Sequence, residues 1–81
     1  MSEFVELYRG FEIHVQVFPF SGDMVDVWCR ILNPTDPRLL PLTAGVQQVD
    51  GGPFSAKIGE KVGMYYGMGL IDSFLREYRG D

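Results

Sequence analysis

The sequence predicts an α+β fold, in which an antiparallel sheet of three strands, with room for a fourth, carries one long C-terminal helix on one face. Three observations lead there. Residues 11–18 and 25–32 each alternate apolar and polar side chains with period two, the mark of half-buried strands. A turn-forming run, Pro19-Phe20-Ser21-Gly22-Asp23, separates them. From Ala56 to about Arg79 no proline interrupts a helical reading, and Ser55 stands where an N-cap is expected.

Taken in order, residues 4–8 fit a short edge strand or a first helical turn, and Arg9-Gly10 turns the chain into the main hairpin. In that hairpin Phe11, Ile13, Val15 and Val17 share a face with Val25, Val27, Cys29 and Ile31. A three-residue loop of Phe20, Ser21 and Gly22 predicts Val17 opposite Val25 and Glu12 opposite Arg30. That register puts His14 beside Trp28. A slip of one residue would set an apolar face against a polar one. Residues 33–42 read as a loop, because Pro34, Pro37 and Pro41 cannot donate to a ladder; its leucines, Leu39, Leu40 and Leu42, are expected to fold back on the core. Residues 45–50 suggest a short third strand, and Asp50-Gly51-Gly52-Pro53 a second turn. In the helix, Lys57, Lys61, Asp72, Arg76 and Arg79 gather on one side. Val62, Tyr66, Leu70, Ile71, Phe74 and Tyr78 lie across the other, and Gly80 suits a C-cap.

Length and composition bound the function. Eighty-one residues allow a single domain, residues 1–81, of a size where a core is marginal without help. Cys29 is the only cysteine and His14 the only histidine, so neither an internal disulfide nor a Cys/His metal centre is expected. Seven basic against eleven acidic residues give a net charge of −4, which disfavours a binder that tracks nucleic-acid phosphates. The longest uncharged apolar run, residues 62–71, is too short to span a bilayer. The N-terminus lacks the pattern of a signal peptide, and with one unpaired cysteine this suits a reducing cytoplasm.

No catalytic constellation and no cofactor-binding signature is present. His14 has no nucleophile in view, and Gly51-Gly52 lacks the companions of a phosphate loop. Two features remain. Gly59, Gly63 and Gly67 recur every four residues inside a helix, where each glycine costs about 1 kcal/mol against alanine. Close packing on the chain's own sheet, or on a second subunit's helix, would offset that. The other is the sheet face opposite the valines, where Trp28, Phe18, Leu32 and Met24 make an apolar patch beside His14. Either the N-terminal segment or the residue 39–42 loop covers it, or it is an interface or ligand surface.

The order of signals is that of a β-β-β-α unit: Tyr8-Arg9-Gly10-Phe11 opening a strand, a glycine turn, a strand bearing Trp28, then Phe54-Ser55 leading into a helix that reaches Ile71-Asp72. It resembles a group of short bacterial proteins of unknown function. In strand and helix order it is also similar to HicB-type antitoxin domains. Those usually step into the helix through Gly-x-Thr, where this chain has Pro53-Phe54-Ser55. The resemblance carries no activity and no site residue. The function expected is a non-enzymatic interaction or regulatory module that forms a homodimer through the Trp28 face or an open sheet edge, with another protein as a further candidate partner. The alternatives are a small-molecule binding protein using the Trp28/His14 face or the proline-rich loop, and an antitoxin-like regulator.

Overall fold

Alternation and turn chemistry shape the sheet from its first residue. The computed structural model describes residues 2–32 and 46–79. Strand β1 (Ser2–Tyr8) pairs antiparallel with β2 (Phe11–Ser21), and β2 with β3 (Met24–Leu32). The far edge of β3 is shared by two short strands in tandem, β4 (Gln47–Gln48) and β5 (Phe54–Ser55). A helix, α1 (Gly59–Arg79), follows. The fold is α+β, an antiparallel sheet with one long C-terminal helix on one face.

Residues 2–8 are strand throughout, so the helical alternative for this segment is set aside. Arg9 and Gly10 both have positive φ, 51° and 86°, as a two-residue type I′ hairpin turn requires. A left-handed arginine costs on the order of 1 kcal/mol, so something must hold it there.

The β2–β3 register differs from the expected one. Val17 faces Val27 rather than Val25, Ile13 faces Ile31, and Glu12 faces Leu32 instead of Arg30. The loop is the reason. Only Gly22 and Asp23 lie outside the strands, with Ser21 opposite Met24 and Gly22 at φ 55° in the first turn position. The extra residue is absorbed as a bulge between Pro19 and Ser21, beside a proline that has no N–H to donate. The shift is two residues, so parity is kept and both faces hold the side chains assigned to them. His14 consequently stands opposite Arg30, and Trp28 opposite Gln16.

Residues 47–56 run along β3 with an excursion at 50–53, which contains a cis Gly52–Pro53 bond. The Val49 amide donates to Val27 O (2.8 Å) and the Ala56 amide to Asp23 O (2.7 Å). Because Phe54 and Ser55 are held to β3, the helix starts at Gly59 rather than at residue 56, and Ser55 Oγ accepts from the Lys57 amide at 3.3 Å within the intervening turn. Gly45, the 33–42 loop and the Gly80 cap lie outside the described residues.

The core forms between α1 and the inner sheet face. Phe11, Ile13, Val15, Val25, Val27, Cys29 and Ile31 meet Met64, Ile71 and Leu75 of the helix, with Val49 buried at the β3 edge. The buried row on the helix is Gly59, Gly63, Gly67, Ile71 and Leu75, one residue every turn. Val62, Tyr66, Leu70 and Phe74 flank it half-buried. The glycine groove is occupied by the chain's own sheet. A Cβ at Gly59 would stand 3.0 Å from Val25 Cγ2, one at Gly63 2.8 Å from Val15 Cγ2, and one at Gly67 2.6 Å from Ile13 Cγ2. Burial of Cys29 pushes its thiol up to about 11, so the neutral, unreactive form prevails near neutral pH.

Candidate interaction surface

The outer face of the sheet, opposite α1, collects side chains from β1, β2 and β3. Directly opposite residues share a face, so Glu3, Val5 and Leu7 of β1 join Gln16, His14, Glu12 and Phe18 of β2, and Asp26, Trp28, Arg30 and Leu32 continue it across β3. Trp28, Phe18 and Leu32 are half-buried, whereas Val5 and Leu7 are 53% and 73% exposed.

The four residues expected to make one cluster are distributed along this face. Phe18 and Trp28 do come together. With Gln16, Asp26 and Val46 they line a shallow depression open to solvent. His14 is turned away from that depression toward its own strand, its Nε2 lying 3.0 Å from Glu12 Oε1. Leu32 sits at the far end of β3, opposite Glu12. Beside the cluster Gln16 Nε2 donates to Glu3 Oε2 at 3.3 Å, and on the helix side of the sheet Tyr66 Oη donates to Gln47 Oε1 at 3.2 Å. The residue 39–42 loop, named as a cover for this face, lies outside the described residues.

Two other concavities are less promising. A cleft of about 280 Å³ between the start of β1 and the start of α1 is lined by Phe4, Val17, Val25, Lys57 and Glu60. It falls below the roughly 300–1,000 Å³ of ordinary ligand sites. The other lies at the opposite end, against Tyr8, Arg9, Asp72, Leu75 and Arg76. Here the sequence reading missed a cluster. Tyr8 Oη donates to both Asp72 carboxylate oxygens, at 2.8 and 3.0 Å, and Arg9 Nη1 donates to Oδ1 at 2.9 Å. The clasp fastens the first hairpin to the helix and accounts for the left-handed arginine. Its only trace in the sequence is one acid among the basic residues of the helix surface. Nothing local ties Asp72 to residues 63 and 64 positions away.

The clasp has a pH signature. The Arg9 guanidinium, and then the Tyr8 hydroxyl, hold the Asp72 carboxyl below its ordinary value. Asp72 holds the Tyr8 hydroxyl above its own, burial adding to the effect. Folding thus favours the ionised Asp72, so its contribution is present above the unfolded value near ~3.9 and is lost as pH falls through the lower folded value. For Tyr8 the favoured form is the neutral one, and its contribution is lost as pH climbs past ~10. The melting-temperature gap between wild type and Asp72→Asn should be constant at middle pH and close at both extremes. Thermal melts at pH 3, 7 and 11 check this, and a gap unchanged at pH 3 would remove the clasp from the stability of the fold.

No family model, no curated protein and no solved structure matches this chain. Among the described residues no group of three or more His, Cys, Asp or Glu side chains could hold a metal ion, and no helix is long and apolar enough to cross a membrane.

Proposed function

We propose that the chain is a non-enzymatic interaction module that self-associates through the outer sheet face, with Trp28 at the centre of the contact. The observation that carries this reading is the open depression formed by Trp28, Phe18 and Val46, on a face that also leaves Val5 and Leu7 wet. Apolar surface gains about 25 cal/mol per Å² when removed from water, and a Trp at the middle of a contact commonly supplies much of its energy. The partner that suits an 81-residue chain without disulfide is a second copy, because pairing subunits enlarges a marginal core. The depression is shallow and mostly apolar, which fits a flat partner surface better than a small ligand with convergent polar groups. A cytoplasmic setting suits the single buried thiol. An antitoxin-like regulator is the more distant reading, resting on strand and helix order alone.

Sedimentation velocity of wild type and Trp28→Glu at micromolar concentration tests the proposal. Wild type should sediment as an oligomer and Trp28→Glu as a smaller, still folded species, since the glutamate lies on the face away from the core. Equal sedimentation of the two proteins would remove Trp28 from the contact, and a monomeric wild type would end the proposal.

A further inference from the structure

The outer edge of β1 offers a second surface, independent of Trp28. Among the described residues β1 pairs only with β2, and it does so over all seven of its residues, without proline or bulge. Edge strands of this kind are ordinarily blunted by charged side chains (lysine above all), a proline, a bulge or a covering element. The sequence Ser2-Glu3-Phe4-Val5-Glu6-Leu7-Tyr8 supplies no lysine and no proline, and its only charges, Glu3 and Glu6, deter a partner only in registers that set them against another carboxylate.

The hairpin decides which backbone groups face outward. A two-residue hairpin closes on its flanking pair, so Tyr8 and Phe11 exchange both backbone bonds, and the ladder alternates from there. Tyr8, Glu6, Phe4 and Ser2 therefore direct N–H and C=O toward β2. Leu7, Val5 and Glu3 direct theirs to the open edge. These are also the residues whose side chains lie on the outer sheet face, where Val5 and Leu7 are exposed.

From this geometry we infer that a second copy of the chain pairs with β1 edge to edge, antiparallel, about a two-fold axis through Val5. Charge selects the register. Antiparallel pairing about a two-fold axis sets one residue against its own twin. Centring on Glu3 or on Glu6 would oppose two carboxylates, which is unfavourable. Centring on Val5 uses the whole strand, places Glu3 against Leu7 of the second copy and Glu6 against Phe4 of the second copy, and leaves no glutamate facing another. In the same register the outward N–H and C=O groups meet: Val5 bonds its twin, and Glu3 and Leu7 bond each other across the axis. Helix α1 packs mainly over β2 and β3, so β1 is less covered on the inner face than either of them, and the two helices stand apart. This axis is normal to the sheet, whereas a face-to-face contact at Trp28 has its axis in the sheet, so both contacts can operate in one closed assembly.

Amide hydrogen exchange followed by NMR on purified protein at ~1 mM, with sedimentation on the same samples, separates the two surfaces. Phe4, Glu6 and Tyr8 amides should be protected in wild type, Val5→Lys and Trp28→Glu alike, because they bond β2. The Glu3, Val5 and Leu7 amides should be slowed more than about tenfold in wild type and Trp28→Glu, and should lose that protection in Val5→Lys, where two ammonium groups meet at the axis. Val5 and Leu7 amides that exchange at solvent rates in wild type overturn the inference. If those samples still sediment as an oligomer, the Trp28 contact stands without it.

Discussion

Gly63→Leu should abolish cooperative folding, although leucine is a far better helix former than glycine. Gly63 is buried where α1 crosses the sheet. A Cβ there would overlap Val15 Cγ1, stand 2.8 Å from its Cγ2 and 3.1 Å from Val27 Cγ1. Both valines are at most 1% exposed and branch at Cβ, so neither has a free rotamer to retreat into. Overpacking of this kind costs about 1–3 kcal/mol for a small intrusion and more for a whole isobutyl group. Gly69 is the internal control. It lies in the same helix, exposed, and an added Cβ there would meet nothing within 4 Å. Gly69→Ala should therefore gain the full propensity difference of about 1 kcal/mol, a rise of roughly 4–8 °C in melting temperature for a domain of this size. Thermal denaturation by circular dichroism reads both. Gly63→Ala melting as high as Gly69→Ala would mean that the helix is free to lift from the sheet.

Ile13→Ala carries the next largest effect, and its value lies in its coupling to Gly67. Ile13 is fully buried, and its Cγ2 and Cδ1 would stand 2.6 and 3.2 Å from a Cβ added at Gly67. Truncation to alanine should cost about 2–5 kcal/mol, the transfer term of the lost carbons plus a cavity under the helix. In that background Gly67→Ala places a methyl group into the space just vacated, with Cys29 Sγ at 3.2 Å as the remaining close neighbour. The double variant should accordingly be more stable than the sum of the single costs by about 1 kcal/mol or more, a coupling expected only for residues in contact. Denaturant unfolding of the four proteins closes the cycle. Strict additivity would contradict the close approach of α1 to β2.

The sequence was informative wherever a residue's neighbour was nearby in the chain or a period fixed its face. Alternation placed Ile13, Val15, Val27 and Cys29 on the core side without knowledge of any partner. It did not fix the register, because a shift of two residues preserves every face and only the loop distinguishes the alternatives. The bulge between Pro19 and Ser21 was the part of that loop local turn rules did not supply. Helix content was likewise plain, but not its start, since Phe54 and Ser55 are claimed by hydrogen bonds to a strand thirty residues earlier. In β1, apolar and acidic residues are mixed on both faces, Phe4 with Glu6 and Val5 with Glu3, so periodicity could not settle strand against helix. The clasp of Tyr8, Arg9 and Asp72 depends wholly on how α1 lies across the hairpin. At the candidate surface, Trp28 and Phe18 could be paired from the sequence, whereas the true register moves His14 from beside Trp28 to a place opposite Arg30, and its Nε2 lies against Glu12 of its own strand.

Trp28 is the only tryptophan in the chain, which makes its own emission the most direct measurement of the proposed contact. In an assembly closed over the outer face the indole is dry, and in the separated chain it is half-exposed above an open depression. A fluorescence dilution series from ~100 µM to ~10 nM brackets the range expected for a contact of this kind. The account predicts a cooperative red shift as the protein is diluted, at a midpoint matching dissociation by sedimentation. An emission maximum that stays fixed across the series would contradict it.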